Sequence, residues 1–369
     1  MHLKDAGPNT GFFSPDAMPR PLENVTCCQD LPEPVVVPGP KPEFRRGQVL
    51  DGRFYILEDI YSGGMATLYR AEDMDHGRQP VVVKIPFLKF ESDPASYAQF
   101  RREEEIGLKL NHPYLLKFIR VENKSRLYIV TEYLRGCTLD YIIHKRRPLP
   151  EGDALRIARV ICEAVQHMHA CGIIHNDLKP SNIMICSDRT IRIMDFGLAT
   201  DVSARRGIFG ALTPVFGTPQ YMAPEQVKSK RTDARTDVYT LGAILFEMLT
   251  GRLPFQSDDH WESVRWRIAG DPVAPRSLNP AISASAEEIV LHAMQRKRED
   301  RYQTAAAFQA DLDSPDRVQV TGYCDRLKVP RFTLSLEGAQ LFYGAIVGVG
   351  VLVGLVILFL CMVHFGGRR

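Results

Sequence analysis

Between His175 and Gly197 the chain sets two carboxylates, an amide and an amine in one short stretch. The order is His175-Asn176-Asp177-Leu178-Lys179-Pro180-Ser181-Asn182, then Asp195-Phe196-Gly197. Only a hairpin, with strands expected around Ile183 and Ile193, separates the two groups. The bland reading is a polar turn between strands. The chemical reading is phosphoryl transfer, which needs oxygen donors to hold a divalent metal and a carboxylate to orient the attacking hydroxyl. Magnesium demands oxygen ligands, and Asn182 and Asp195 supply them.

The rest of the chain divides around this loop. With 369 residues, 45% hydrophobic and 24% charged, it is long enough for one large unit with appendages. A net charge of +2 gives no sign of a nucleic-acid partner. The eight cysteines show no spacing suited to zinc. Residues 1–50 are proline-rich without apolar periodicity and are expected to be a disordered tail. Such a tail is a solvated leader or a docking ligand.

From Phe54 to Ile85, β-branched and aromatic runs alternate with the turn signals Ser62-Gly63-Gly64 and Asp75-His76-Gly77, which predicts antiparallel hairpins. A helix follows from Ala95 to Leu110, ended by Asn111-His112-Pro113. Beyond Pro150 the periodicity is mainly helical, over Ala154–Ala170, Thr236–Thr250, Trp261–Ile268 and Ala284–Met294. A sheet-rich lobe is therefore expected to precede a helical one. No signal peptide is expected at the N-terminus.

The last apolar stretch, Leu341 to Val363, carries no charge and has the length a helix needs to cross a bilayer. A membrane-spanning helix over 341–363 is expected, with a juxtamembrane linker at 313–340 and a short tail at 364–369. Two small-xxx-small pairs, Gly344 with Gly348 and Gly350 with Gly354, would permit self-association through this helix. They fall on nearly opposite faces, so one contact could not use both.

In order and spacing, the loop and the Asp195-Phe196-Gly197 run resemble the catalytic loop and metal-binding motif of the eukaryotic-type (Hanks-type) serine/threonine protein kinases, most of all membrane-anchored bacterial members. The resemblance implies an α+β, bilobal kinase fold over residues 51–312 with a β-rich N-lobe and a helical C-lobe. It implies ATP and Mg2+ as cofactors and Ser or Thr of proteins as substrate. It makes Asp177 the acceptor of the substrate hydroxyl proton, Lys179 a stabiliser of the transferring phosphate, and Asn182 and Asp195 metal ligands. Lys84, at the end of Val81-Val82-Val83-Lys84, becomes the phosphate-facing lysine. Glu103 becomes its partner, with Glu104 and Glu105 adjoining it and a one-residue displacement left open.

The nucleotide-covering hairpin would be Tyr61-Ser62-Gly63-Gly64-Met65-Ala66, where Tyr61 and Ala66 stand in place of two glycines of the family pattern. Leu68, Val82 and Met184 would sandwich adenine. Backbone groups of Glu132 and Leu134 would meet its edge, with Thr131 guarding an inner pocket. Asn176 replaces the arginine that in most members pairs with a phosphorylated residue, so activity without such phosphorylation is expected. Gly217 to Glu225 resembles the substrate-positioning loop, with Thr218 near Asp177. Glu225 would pair with Arg301, and Asp237 would brace the loop. No Walker-type run is present. The expectation is an ATP-dependent serine/threonine protein kinase at a membrane, single-pass, with its catalytic domain cytoplasmic and the bacterial inner membrane as its site. The alternative is a catalytically idle kinase-like membrane scaffold.

Overall fold

The computed structural model describes residues 43–202, 219–255 and 260–329. The first half builds a six-stranded antiparallel sheet from β1 (Val49–Leu50), β2 (Phe54–Ser62), β3 (Ala66–Asp73), β4 (Gln79–Pro86), β5 (Phe118–Ile119) and β6 (Ile129–Glu132). The strand order is β1-β2-β3-β4-β6-β5. Between β4 and β5 come a one-turn helix, α1 (Leu88–Glu91), and the long α2 (Pro94–Lys109). Asp93 caps α2 by accepting the Ser96 amide at 2.8 Å, and Pro94 occupies the first helical position, where no amide is needed.

Alternation along β4 sorts its side chains. Val81, Val83 and Ile85 are buried in the sheet's own core beside Phe54, Ile56 and Tyr69. Val82 and Lys84 lie on the other face and line a cleft.

The second half is helical: α3 (Leu139–Lys145), α4 (Glu151–Ala170), α5 (Pro224–Val227), α6 (Ala234–Thr250), α7 (His260–Ala269), α8 (Pro275–Leu278), α9 (Ala284–Ala293) and α10 (Ala305–Asp313). Short strands β7 (Gly136–Thr138), β8 (Ile173–Ile174), β9 (Ile183–Cys186), β10 (Ile191–Ile193) and β11 (Thr200–Asp201) carry the loops between them. The order β10-β9-β7 makes one small sheet, and β11 pairs with β8 in another. Helix α6 is buried along nearly its whole length, the pattern of a helix surrounded by protein. It ends at Gly251, whose φ of 69° suits the left-handed C-terminal turn.

The lobes join where Leu116 donates to the Ile193 carbonyl and Ile193 to the Tyr114 carbonyl, each at 2.9 Å. Residues 314–328, expected as linker, pack back on the helical lobe. Lys328 donates to Asp271 Oδ2 at 2.9 Å, and the Asp271 amide donates to the Lys328 carbonyl at 3.0 Å.

The sheet-then-helix architecture agrees with expectation. The membrane-spanning element requires correction. Among the described residues no helix is long and apolar enough to cross a membrane, and 341–363 lies outside the described residues. The long helices that are described, such as α2 and α4, are amphipathic and interrupted by charge, as helices packed on one side against a protein core are. The membrane anchor, self-association through its glycine pairs and single-pass location in a bacterial inner membrane are withdrawn with it. Of the tail expected over 1–50, residues 1–42 lie outside the described residues, as do Thr213 and Thr218. Residues 43–50 are ordered instead, because Val49–Leu50 pairs with β2 and the Gly47 amide donates to the Ile56 carbonyl at 2.9 Å.

One glycine governs how the two lobes meet. A Cβ on Gly107 of α2 would fall 2.4 to 2.5 Å from three ring carbons of Phe118. Phe118 stacks on Phe196 at 5.6 Å, and Phe196 meets His175 edge-on at 5.8 Å. Gly107 thus admits a ring that ties α2 to the loop around Asp195. Gly107→Ala is expected to destabilise the protein by about 1–3 kcal/mol through overpacking, read as a lower thermal midpoint.

Candidate active site

A cavity of about 490 Å³ opens between the sheet and the helical lobe. Its lining includes Tyr61, Gly63, Gly64, Met65, Ala66, Leu68, Val82, Lys84, Glu103, Glu132, Leu134, Asn182, Met184 and Asp195, drawn from stretches up to 134 positions apart in the chain. Ser62 is the exception among the hairpin residues named from sequence, its hydroxyl meeting that of Thr67 at 3.3 Å instead. Asp177 and Lys179 pair with each other at 2.7 Å beside the cavity, joined to it through Asn182. Leu116, Phe118, Ile129 and Met194 also line the cavity. Nothing in sequence separates such residues from ordinary core.

Lys84 Nζ reaches both carboxylate oxygens of Glu103, at 2.6 and 2.8 Å. Glu103 is buried, whereas Glu104 pairs with Lys124 and Glu105 is exposed beside Arg101. Burial opposes charge on Lys84, yet Glu103 and Asp195 facing it hold the ammonium above its usual pKa. Burial likewise opposes charge on Asp195, but Lys84, the Gly197 amide, His175 and Lys179 hold its carboxyl below the usual range.

The loop backbone is shaped by hydrogen bonds from several sides. Asn182 donates from Nδ2 to the Asp177 carbonyl at 2.9 Å, which leaves its Oδ1 as an acceptor. Asp195 has a φ of 62°, and its Oδ1 accepts the Gly197 amide at 3.2 Å. Asn176, at φ 64°, adopts a left-handed backbone that asparagine tolerates better than most residues. From there its side-chain Nδ2 lies 3.2 Å from the carbonyls of Ile174 and Leu198 and 3.0 Å from the Thr200 hydroxyl. It therefore joins the loop to β11 without any charge.

Asp237, on the first turn of α6, accepts from His169 Nε2 at 2.8 Å, from the His175 amide at 2.9 Å and from the Asn176 amide at 3.0 Å. Burial opposes its ionisation, but His169 and His175 hold its carboxyl below the usual range. Glu225 and Arg301 form the expected buried bidentate pair at 2.8 and 2.9 Å.

At the cavity roof the Tyr61 ring lies over Gly63, where a Cβ would approach Tyr61 Cε1 to 2.7 Å. The side chain that replaces a glycine is thus accommodated by another glycine. Tyr61 itself is 53% exposed.

The donor set suits a hard cation. Asn182 Oδ1 and Asp195 offer oxygen, and among the described residues no group of three His, Cys, Asp or Glu could hold a metal by protein ligands alone. A magnesium ion here would complete its shell from phosphate and water, as that ion commonly does.

Comparison with known proteins agrees with this arrangement. The family model for the protein kinase domain matches residues 54–312, and the chain belongs to that family. It is similar to serine/threonine-protein kinase PknB of Mycobacterium tuberculosis (strain ATCC 25618 / H37Rv), with 36% identity over 268 residues, 71% of this chain and 43% of that protein. Serine/threonine-protein kinase PknB of Mycobacterium leprae (strain TN) is 38% identical over 264 residues, 70% of this chain and 42% of the relative. Serine/threonine-protein kinase PrkC of Bacillus subtilis (strain 168) is 34% identical over 290 residues, 78% and 43% of the two chains. The matched part spans less than half the length of each relative.

Asp237→Asn replaces an acceptor oxygen by a donor facing buried N–H groups, and is expected to cost about 1–3 kcal/mol or more. The charge contribution of Asp237 is complete above the ordinary aspartate pKa of about 3.9 and is lost as pH falls through its lower folded value. Urea midpoints of parent and variant should therefore differ most near neutrality and converge below about pH 4.

Proposed function

We propose that this chain is a serine/threonine protein kinase, transferring the γ-phosphate of ATP to hydroxyl groups of protein substrates. The Lys84–Glu103 ion pair carries this reading, because it opens on the same cavity as Asn182 and Asp195. That arrangement suits the grip on nucleotide phosphates that phosphoryl transfer needs. The relatives' names, serine/threonine-protein kinases, support the choice of acceptor.

In this reading Lys84, oriented by Glu103, meets the nucleotide phosphates. Adenine lies between Leu68 and Val82 above and Met184 below, with its edge at the backbone of Glu132 and Leu134. The backbone of Gly63 and Gly64 covers the phosphates, with Ser62, Met65 and Ala66 completing the hairpin and Tyr61 roofing it. Asn182 and Asp195 would hold Mg2+, which when bound supplies neutralisation of phosphate charge. Asp177 accepts the proton of the substrate hydroxyl. Lys179, 2.7 Å from Asp177, offsets negative charge on the group in transit.

The test uses the full chain with labelled ATP, Mg2+ and histone as a generic basic protein. The parent is expected to form phosphoserine or phosphothreonine, and Asp177→Asn to lower the rate by about 10²–10⁴-fold while still binding nucleotide. Nucleotide binding by the parent with no transfer would overturn the enzyme in favour of a binding module. Because Asn176 joins the loop to β11 through neutral hydrogen bonds, Thr213→Ala is expected to leave the transfer rate unchanged. A collapse of activity in that variant would mean that a phosphate on Thr213 is required.

A further inference from the structure

We propose that Arg267 is a positioning residue for the protein substrate, a buried cation that staples residues 219 and 220 to α7 and so holds the substrate-positioning segment in its working shape. The inference rests on the kinase reading above and assigns to that reaction a residue outside the nucleotide cavity.

Among the described residues Arg267 has the largest side chain of those fully buried, at 1% exposure. Its two terminal nitrogens donate separately to the carbonyls of Pro219 and Gln220. Its guanidinium lies 5.5 Å from the centre of the Phe255 ring. Among the described residues no carboxylate pairs with it. The polar groups facing it are the two carbonyls and the phenols of Tyr221 and Tyr239. Burial pulls its pKa below the usual value, opposed by those phenols.

A cation without a counter-ion is costly to bury, and an apolar side chain of similar volume would fill the space more cheaply. What an apolar chain could not do is bond two consecutive carbonyls. The planar fork of arginine spans both, whereas a lysine ammonium presents a single point.

Successive residues of this segment are held from different elements. Tyr221 donates to Glu247 of α6 at 2.6 Å, and the Tyr221 carbonyl accepts from Thr240 at 3.1 Å. Gln226 accepts the Ala223 amide at 2.9 Å and donates to the Asn176 carbonyl at 2.8 Å. That last bond makes the segment continuous with the loop that bears Asp177. Gln220 and Tyr221 also wall a separate cavity of about 660 Å³, shared with Asp140 and Glu247. Arg267 therefore fixes one border of the space open to a polypeptide, at the point where the described segment begins. Its loss would misplace the substrate rather than the nucleotide.

The experiment measures steady-state kinetics of the full-length parent, Arg267→Met and Arg267→Lys, with ATP and histone varied in turn. Arg267→Met is expected to raise KM for histone at least about tenfold, because small misplacements of a reacting group are amplified in rate and affinity. The KM for ATP should stay unchanged, and Arg267→Lys should recover part of the loss. An unchanged KM for histone in a variant with the parent's thermal midpoint overturns the proposal. Equal loss of ATP and histone affinity also overturns it, since that is the mark of general unfolding. Should Arg267→Met fail to fold, Arg267→Lys carries the same test. A parent that transfers no phosphate sinks the kinase reading itself, whereas an active parent with indifferent variants sinks only the role of Arg267.

Discussion

The site depends first on one buried carboxylate. Asp237 begins a helix that is enclosed on all sides, and it accepts hydrogen bonds from His169 and from two successive amides of the loop that carries Asp177. An aspartate ionised inside protein is tolerable only when several donors replace its water. Here those donors are the backbone that must be held still, so the same bonds that permit the charge also shape the loop. Burial of α6 fixes Asp237, Asp237 fixes residues 175–176, and these set where Asp177 and Asn182 begin.

Around that centre the described residues after Asp195, 196–202 and 219–223, are tethered by permanent side chains. Asn176 and Lys109 reach β11, the latter through Asp201 at 2.7 Å. Gln99 donates to the Gly197 carbonyl at 3.2 Å. At the far end Arg267 and Gln226 hold residues 219–223. None of these contacts needs an added phosphate. The ring stack from Phe118 through Phe196 to His175 runs through the same region, so α2, the nucleotide cavity and the loop form one packed series. Packed aromatic and hydrogen-bonded groups of this kind move between discrete arrangements rather than by small degrees.

Much of this was legible beforehand. The hairpins, the helix before His112 and the helical second half were readable because alternation, helical period and turn residues are local properties, whereas the Glu225–Arg301 pair was expected only from the resemblance to the kinase family. The roles around Asp177 and Asp195 came from the family resemblance that their order and spacing carry. Other features were not legible. The charge run Glu103, Glu104 and Glu105 does not by itself separate its members. The resemblance pointed to Glu103 with a one-residue displacement left open, and the rotation of α2 against β4 sends the first to Lys84, the second to Lys124 and the third to solvent. Residues 314–328 read as linker because their contacts are with distant elements, Glu288 and Asp271. An apolar stretch at 341–363 has the length for a bilayer, but no described helix has that character.

Sequence by itself determined the chemistry available to this protein: which carboxylates, amides and lysines exist, in what order, and which strands and helices bring them forward. Those are consequences of side-chain identity and local backbone preference. The tertiary structure alone decided which of several like groups meet. It decided that Tyr61 lies over Gly63, that Phe118 fills the space Gly107 leaves, and that Arg267 spends its charge on two carbonyls. The physical reason is that such pairings depend on the relative rotation and depth of elements far apart in the chain, which the burial of a shared core fixes and no local pattern encodes.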